Sequence, residues 1–199
     1  MKNDSIDIRN ICRVHTRLVQ HLSSESIPVI EKIVDEITRC LLEGGTVFTC
    51  GNGGSASQAE HFAGELLGRF NKDRKALPVF VLSQNTTALT AIANDYSYKD
   101  VFSRQLSGLG RRGDCLVALS TSGYSENIVD ACRAAKKKGM RVFALTGLGG
   151  GKVGAESDVT LEIPESDTAR VQEIHLVALH IICQSVEERI FSPELKRQE

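Results

Sequence analysis

Five short runs between Thr46 and Ile163 set the terms for any fold: TVFTC (46–50), PVFVLS (78–83), CLVALS (115–120), RVFALT (141–146) and DVTLEI (158–163). Each is too apolar to present one face to water, and stretches with helical spacing separate them. Strands of that kind have to be covered on both sides. When strands alternate with helices, they pair in parallel through helical crossovers. The pattern predicts an α/β three-layer sandwich, a central parallel sheet covered by helices on both faces. The intervening helices are expected over Ser55–Phe70, TTALTAIAN (86–94), DVFSRQLSGLG (100–110) and SENIVDACRAAKKKGM (125–140). A long helix from about Ala169 to Ile190 closes the chain.

Residues 1–45 read as helices in front of this unit. From 28 to 42, Pro28 occupies a favoured first-turn position, and Ile30, Ile33, Val34, Ile37 and Leu41 recur at helical spacing until Gly44-Gly45 stops them. From 6 to 22 the weaker set Ile11, Val14, Leu18 suggests a helix lying on the core or on a neighbouring subunit. The organisation expected is an N-terminal helical extension (1–45) and one α/β unit (46–199), with no linker and no internal repeat.

A chain of 199 residues removes roughly 70% of its unfolded surface from water on folding, so neither disulfide nor metal is needed to hold a core. No Cys-x-x-Cys pair occurs among Cys12, Cys40, Cys50, Cys115, Cys132 and Cys183. They read as buried hydrophobes in a reducing compartment. A formal net charge of −1 gives no reason to expect nucleic acid or membrane as partner, and no apolar run reaches the ~18 residues of a membrane span. The polar opening MKNDSIDIRN lacks the apolar segment of a signal peptide, which points to the cytoplasm.

Three apparent motifs fail on context. Gly108-Leu109-Gly110-Arg111-Arg112-Gly113 has the spelling of a dinucleotide fingerprint but precedes a strand instead of following one. Gly149-Gly150-Gly151-Lys152 lacks the first glycine and the Ser/Thr of a phosphate loop, with Thr146 and Val153 in those places. The basic run Arg133, Lys136, Lys137, Lys138, Arg141 falls at the end of a helix before Gly139, where cations oppose the helix dipole.

Two loops survive. Gly51-Asn52-Gly53-Gly54-Ser55 and Ser120-Thr121-Ser122-Gly123-Tyr124-Ser125 each leave the carboxyl end of a strand and run into a helix. Glycine lets the backbone approach a ligand, hydroxyls donate, and free N–H groups at a helix start favour an anion. Phosphate binding is the reading. The plainer alternative is that Ser55 and Ser125 merely cap their helices. His61 and Glu65 share a helix face and suit a metal or proton transfer, or a solvated pair. Gln172, Glu173, His175 and His180 interrupt an apolar helix and need partners. Gln172 and His180 stand about 12 Å apart along a regular helix. His15, His21 and His175 are read as structural.

Taken together, CGNGGSASQAEHFAGELLGRF (50–70), AIANDYSYKDVFSRQ (91–105), ALSTSGYSENIVDA (118–131) and TARVQEIHLVALHIICQSVE (168–187) resemble the sugar isomerase (SIS) fold and, within it, the phosphoheptose isomerase family. That resemblance implies an aldose–ketose isomerase converting sedoheptulose 7-phosphate to D-glycero-D-manno-heptose 7-phosphate, the first step of ADP/GDP-heptose and lipopolysaccharide heptose biosynthesis. It implies a homotetramer with active sites at subunit interfaces and one Zn2+ per subunit. By the same resemblance, Asn52, Gly53, Gly54 and Ser55 surround the sugar phosphate, and Ser120, Thr121, Ser122 and Ser125 hold the phosphate. Arg69, Asn94 and Asp95 fall at substrate-contacting positions, as do Glu65 and Gln172. His61, Glu65, Gln172 and His180 match the metal ligands, and Glu65 and His180 the acid/base pair. Tyr124 stands where the family commonly has Asn. The competing functions are a non-catalytic relative that binds the replication initiator, and an isomerase or sensor of another sugar phosphate. Retention of all four ligand positions argues for the enzyme.

Overall fold

A computed structural model describes residues 7–191; the helix start expected at residue 6 lies outside the described residues. The elements run α1 (Ile8–Ser24), α2 (Ile27–Leu42), β1 (Val47–Cys50), α3 (Gly54–Leu67), β2 (Val79–Val81), α4 (Thr86–Asp95), a 3-10 turn (Tyr98–Asp100) and α5 (Ser103–Leu109). There follow β3 (Cys115–Ser120), α6 (Glu126–Lys137), β4 (Arg141–Thr146), α7 (Gly151–Ala155), β5 (Val159–Glu162) and α8 (Thr168–Phe191). The strands form one parallel sheet in the order β2-β1-β3-β4-β5. Val47 is aligned with both Val79 and Cys115, Cys115 with Arg141, and Phe143 with Val159.

Because strand side chains alternate, the sheet divides its apolar residues between two layers. Val47, Cys115, Val117, Leu119, Phe143 and Leu145 point into a core built with α1, α2, α3 and α8. Phe48, Cys50, Leu116, Ala118, Val142 and Ala144 point into a second core under α5 and α6. This is the expected three-layer sandwich. The helices differ in how firmly they are held. α2 buries seven residues, from Ile30 to Leu41, whereas α1 buries only Leu18 and Leu22. At roughly 1.5–3 kcal/mol per buried apolar side chain, α1 is the lightly held element. A hydrogen bond from His15 Nδ1 to Glu173 (2.9 Å) and an ion pair from Arg17 to Glu165 (3.1 Å) tether it to α8 and the segment before it.

One sequence expectation needs correction. Cys12 is exposed on α1, while the other five cysteines are buried and all six are free. Its neighbours Ile8 and Ile11 are exposed too, since the apolar face of α1 meets the core only from Val14 onward, first partly at Val14 and then fully at Leu18. Gly149–Lys152 leads into a short helix not expected from the sequence: α7 begins at Gly151 and buries Val153. The basic run is the solvated end of α6 leading into β4, as expected, and two of its members make surface ion pairs. Arg133 pairs with Asp130 and Glu156, and Arg141 with Glu36 and Asp158.

Candidate active site

In an open parallel sheet, the loops on either side of the point where strand order reverses diverge and leave a crevice at the carboxyl ends. Here that point falls between β1 and β3. The loops leaving those two strands are the glycine and hydroxyl loops singled out in the sequence.

Asn52 joins them. Its side chain makes a reciprocal amide pair with buried Asn127 of α6, Nδ2 donating to Asn127 Oδ1 at 2.9 Å and Oδ1 accepting from Asn127 Nδ2 at 2.8 Å. Tyr98 donates its hydroxyl to the same Oδ1 at 2.9 Å. The Asn52 carboxamide is thus largely committed to tying the loop after β1 to the helix after β3, leaving one Nδ2 hydrogen and the backbone for a ligand. Neither Asn127 nor Tyr98 was singled out in the sequence. An asparagine in the first turn of α6, beside the buried Ile128 and Val129, was the available signal.

The plain capping alternative for the two serines does not hold. α3 starts after Gly53 and α6 after Ser125, and neither N-cap residue makes a side-chain capping bond. At α6 the N–H groups of Glu126 and Asn127 are left for an anion, whereas at α3 those of Ser55 and Ala56 already bond to the Asn52 and Gly53 carbonyls at 3.0 Å and leave that of Gly54. Ser120 is buried, with its Oγ 3.4 Å from Ser125 Oγ, and Ser122 Oγ accepts from the Tyr124 N–H at 3.2 Å. Thr121 is partly buried and Ser122 exposed at the rim. Gly123 has φ +70°, and a Cβ there would stand 2.4 Å from the Gly150 carbonyl oxygen, so only glycine closes this turn.

α3 and α8 run side by side. Near their beginnings, Gln58 Nε2 donates to the Gln172 carbonyl at 2.6 Å, and Gln172 Nε2 donates to Ser55 Oγ at 3.5 Å. A Cβ on Gly54 would stand 2.7–2.8 Å from the Gln172 carboxamide, so this glycine makes room for it. Further along, His61 and His180 meet Nε2 to Nε2 at 2.8 Å, and Glu65 Oε1 lies 3.3 Å from His61 Nε2. The ligand atoms of His61, Glu65 and His180 all fall within 4.8 Å of one another. Gln172 is not with them. Eight residues of regular helix, about 12 Å, separate it from His180, and its side chain is engaged at the first loop.

Arg69 is exposed just past the end of α3, the end away from the glycine loop. The next residue, Phe70, lays its ring against His180 with centroids 5.8 Å apart. Asn94 and Asp95 are exposed at the end of α4, Asn94 Nδ2 donating to Asp95 Oδ1 at 2.9 Å, shortly before Tyr98. His175, between Gln172 and His180, is fully buried. Its Nε2 is 3.1 Å from the Thr146 carbonyl and its Nδ1 has no partner. Burial, partly opposed by that carbonyl, lowers its pKa to about 4, which keeps it neutral and structural.

Chemically, two imidazole nitrogens and one carboxylate oxygen converging from two rigid helices can bind a divalent cation or pass a proton. The donor set fits a metal that accepts nitrogen and oxygen ligands and keeps a further position open for water or substrate.

An SIS domain family profile matches residues 12–147. A curated phosphoheptose isomerase from Dechloromonas aromatica (strain RCB) is 45% identical over 168 residues, covering 83% of this chain and 86% of the relative. The chain belongs to the phosphoheptose isomerase family. Another relative of that name, from Shewanella sediminis (strain HAW-EB3), is 44% identical over 85% of the chain and 88% of its own length. Solved phosphoheptose isomerases from Neisseria gonorrhoeae and Francisella tularensis superpose with TM-scores of 0.85 and 0.88, at 38% and 32% identity. They cover 91% of this chain in both cases, and 97% and 96% of their own. No helix among the described residues is long and apolar enough to cross a membrane.

Proposed function

We propose that this chain isomerises sedoheptulose 7-phosphate to D-glycero-D-manno-heptose 7-phosphate, and so opens the route to ADP- or GDP-heptose. The observation that carries the reading is the meeting of His61, Glu65 and His180 on α3 and α8, the former helix growing directly from the glycine loop. A protein that only binds another protein has no use for that convergence.

The layout suits the substrate. The phosphate is at C7 and the reacting carbons are C1 and C2, at the other end of the sugar. Ser120, Thr121, Ser122, Ser125, Ser55 and the open helix starts take the phosphate. Gly53 and Gly54 let the sugar approach the backbone, and Asn52 holds the loop and offers its remaining N–H. His61 lies six residues along α3 from Ser55, and Glu65 ten, which is about 9 and 15 Å of helix. Reaction requires one proton to leave C1 and one to reach C2, while a hydroxyl proton passes from O1 to O2 through an enediol. Glu65 carries the proton between the carbons and His180 moves the proton between the oxygens. Arg69, Asn94, Asp95 and Gln172 complete the substrate contacts.

Zinc, one per subunit, is the metal proposed for His61, Glu65 and His180, with Gln172 as the fourth family position. When bound, it would polarise the carbonyl and stabilise the developing oxyanion. Glu65 then serves either as ligand or as base at different points of turnover. In a single subunit His61, Ser122 and Tyr124 are exposed, as is the whole of α4 apart from a few half-buried positions. A homotetramer whose subunits close over these surfaces, with 1–45 contributing to the packing, would shield the enediol and supply Gln172 or Arg69 from a neighbour.

The test is incubation of the purified protein with sedoheptulose 7-phosphate, with aldose formation followed by NMR, with and without chelator. Turnover lost on chelation and restored by zinc is expected. A folded protein with no turnover in any condition would refute the reading.

A further inference from the structure

The segment after α3 is held by an ion pair that no part of the reaction uses. Glu187 and Arg74 have side chains only 1% exposed, and Arg74 Nε donates to Glu187 Oε1 at 2.9 Å. Glu187 also accepts three successive backbone N–H groups: Phe70 at 3.0 Å on Oε1, and Asn71 and Lys72 at 2.8 and 2.9 Å on Oε2. Burial alone would raise this carboxyl's pKa. The N–H groups of Asn71, Lys72 and Phe70, together with the Arg74 guanidinium, outweigh burial and hold it below its ordinary value. The rest of the guanidinium caps the end of α3. Its Nη1 donates to the carbonyls of Leu66 (2.7 Å), Gly68 (3.1 Å) and Lys75 (3.0 Å), and its Nη2 to the carbonyl of Glu65 at 2.8 Å.

What this clasp fixes is specific. Through the Glu65 carbonyl it sets the turn of α3 that carries the Glu65 carboxylate. Through the Phe70 N–H it sets the ring that lies against His180. Between them sits Arg69, flanked by the Gly68 carbonyl bonded to Arg74 and the Phe70 N–H bonded to Glu187. Glu187 itself lies on α8 seven residues beyond His180, so both histidine-bearing helices are tied at one point. A cluster that only closed the chain would not need to hold the carbonyl of one candidate ligand and the aromatic neighbour of another.

We propose that Arg74 and Glu187 are positioning residues of the isomerase centre. They set the relative placement of Glu65, Phe70 and His180, and with it the site's affinity for metal and its rate. The rate part rests on the isomerase reading above, whereas the metal part does not.

The test compares wild type with Glu187→Gln and with Phe70→Leu, which leaves the clasp intact and removes only the ring on His180. Three quantities are measured on folded, full-length protein. These are zinc affinity by calorimetry, kcat and KM separately, and the imidazole carbon signals of histidine-labelled protein without metal. Glu187→Gln is expected to weaken zinc binding and lower kcat by about 10–100-fold with a smaller change in KM, the usual cost of losing an outer partner of a ligand. It should also shift the His180 signal. Phe70→Leu should shift the same signal and weaken zinc several-fold. A purely structural clasp lowers the melting temperature but leaves zinc affinity, kcat per folded protein and the His180 signal at wild-type values, and that result overturns the proposal. If Glu187→Gln does not fold, unchanged zinc affinity and an unchanged His180 signal in Phe70→Leu overturn it instead. Wild type that binds zinc without turning over substrate would refute the isomerase reading, and the zinc and histidine readouts would still decide the positioning claim.

Discussion

Replacing His175 with glutamine should flatten the acid sensitivity of folding. His175 is fully buried on α8, with Nε2 facing the Thr146 carbonyl and Nδ1 unpartnered. A carbonyl only accepts, so Nε2 carries the hydrogen and Nδ1 the lone pair. Protonation would bury a charge and add a second N–H with nowhere to donate. Its pKa accordingly falls from 6.5 to about 4. The unfolded chain takes up this proton as pH drops through 6.5 and the folded chain only near 4. Stability from this residue is therefore complete above 6.5 and is lost progressively between 6.5 and 4. Linkage with those two values gives a loss of about 2 kcal/mol on going from pH 7 to pH 5. Glutamine keeps a donor for Thr146 and cannot titrate. Urea unfolding of wild type and His175→Gln at both pH values, at one protein concentration, isolates the term because the other groups cancel in the difference. Wild type should lose about 2 kcal/mol more than the variant. Equal losses would refute the buried neutral assignment.

Glu65→Gln and His180→Gln should each cut turnover by about 10²–10⁴-fold while sugar-phosphate binding, read by calorimetry, persists; full activity in either removes that residue from the chemistry. Asn127→Ala deprives Asn52 of both amide bonds, so thermal or urea melts should show a loss of about 1–3 kcal/mol. Its KM should rise more than its kcat falls, and an unchanged KM would mean that the tie between the loops does not shape the site. Gly123→Ala combines a left-handed backbone with a Cβ 2.4 Å from the Gly150 oxygen. It should cost about 1–3 kcal/mol and weaken inorganic phosphate binding, and phosphate affinity equal to wild type would take the loop out of the anion site.

How much of this was legible beforehand depended on whether the signal was local. β3 and β4 agree residue for residue with the runs CLVALS and RVFALT, since a strand buried on both faces announces itself by continuous apolarity. β2 is only Val79–Val81, three residues of an expected six, because it pairs at the sheet edge with the short β1 alone. α7 was hidden by the three glycines at its start. The two loops could be read because their chemistry is contiguous. The joining of His61 to His180, 119 residues apart, was implied only by the family resemblance and by no local pattern, since it arises from the way α3 and α8 pack. Spacing along α8 put Gln172 and His180 about 12 Å apart, and in the structure the Gln172 side chain is engaged at Ser55 and not with the three convergent ligand atoms. Glu187 left a trace, a carboxylate next to Val186 on the buried face of α8, but its partners are backbone N–H groups that no side-chain pattern reports.

The central claim is that a proton moves between adjacent carbons at the site where Glu65 and His180 meet. It is tested most directly by running the isomerisation in deuterium oxide and reading the product by NMR. Transfer through an enediol by an exchangeable carboxyl predicts aldose carrying deuterium at C2. Aldose formed at full rate with only the original hydrogen at C2, in wild type and in Glu65→Gln alike, would contradict the account, because the hydrogen would then pass between the carbons without depending on Glu65.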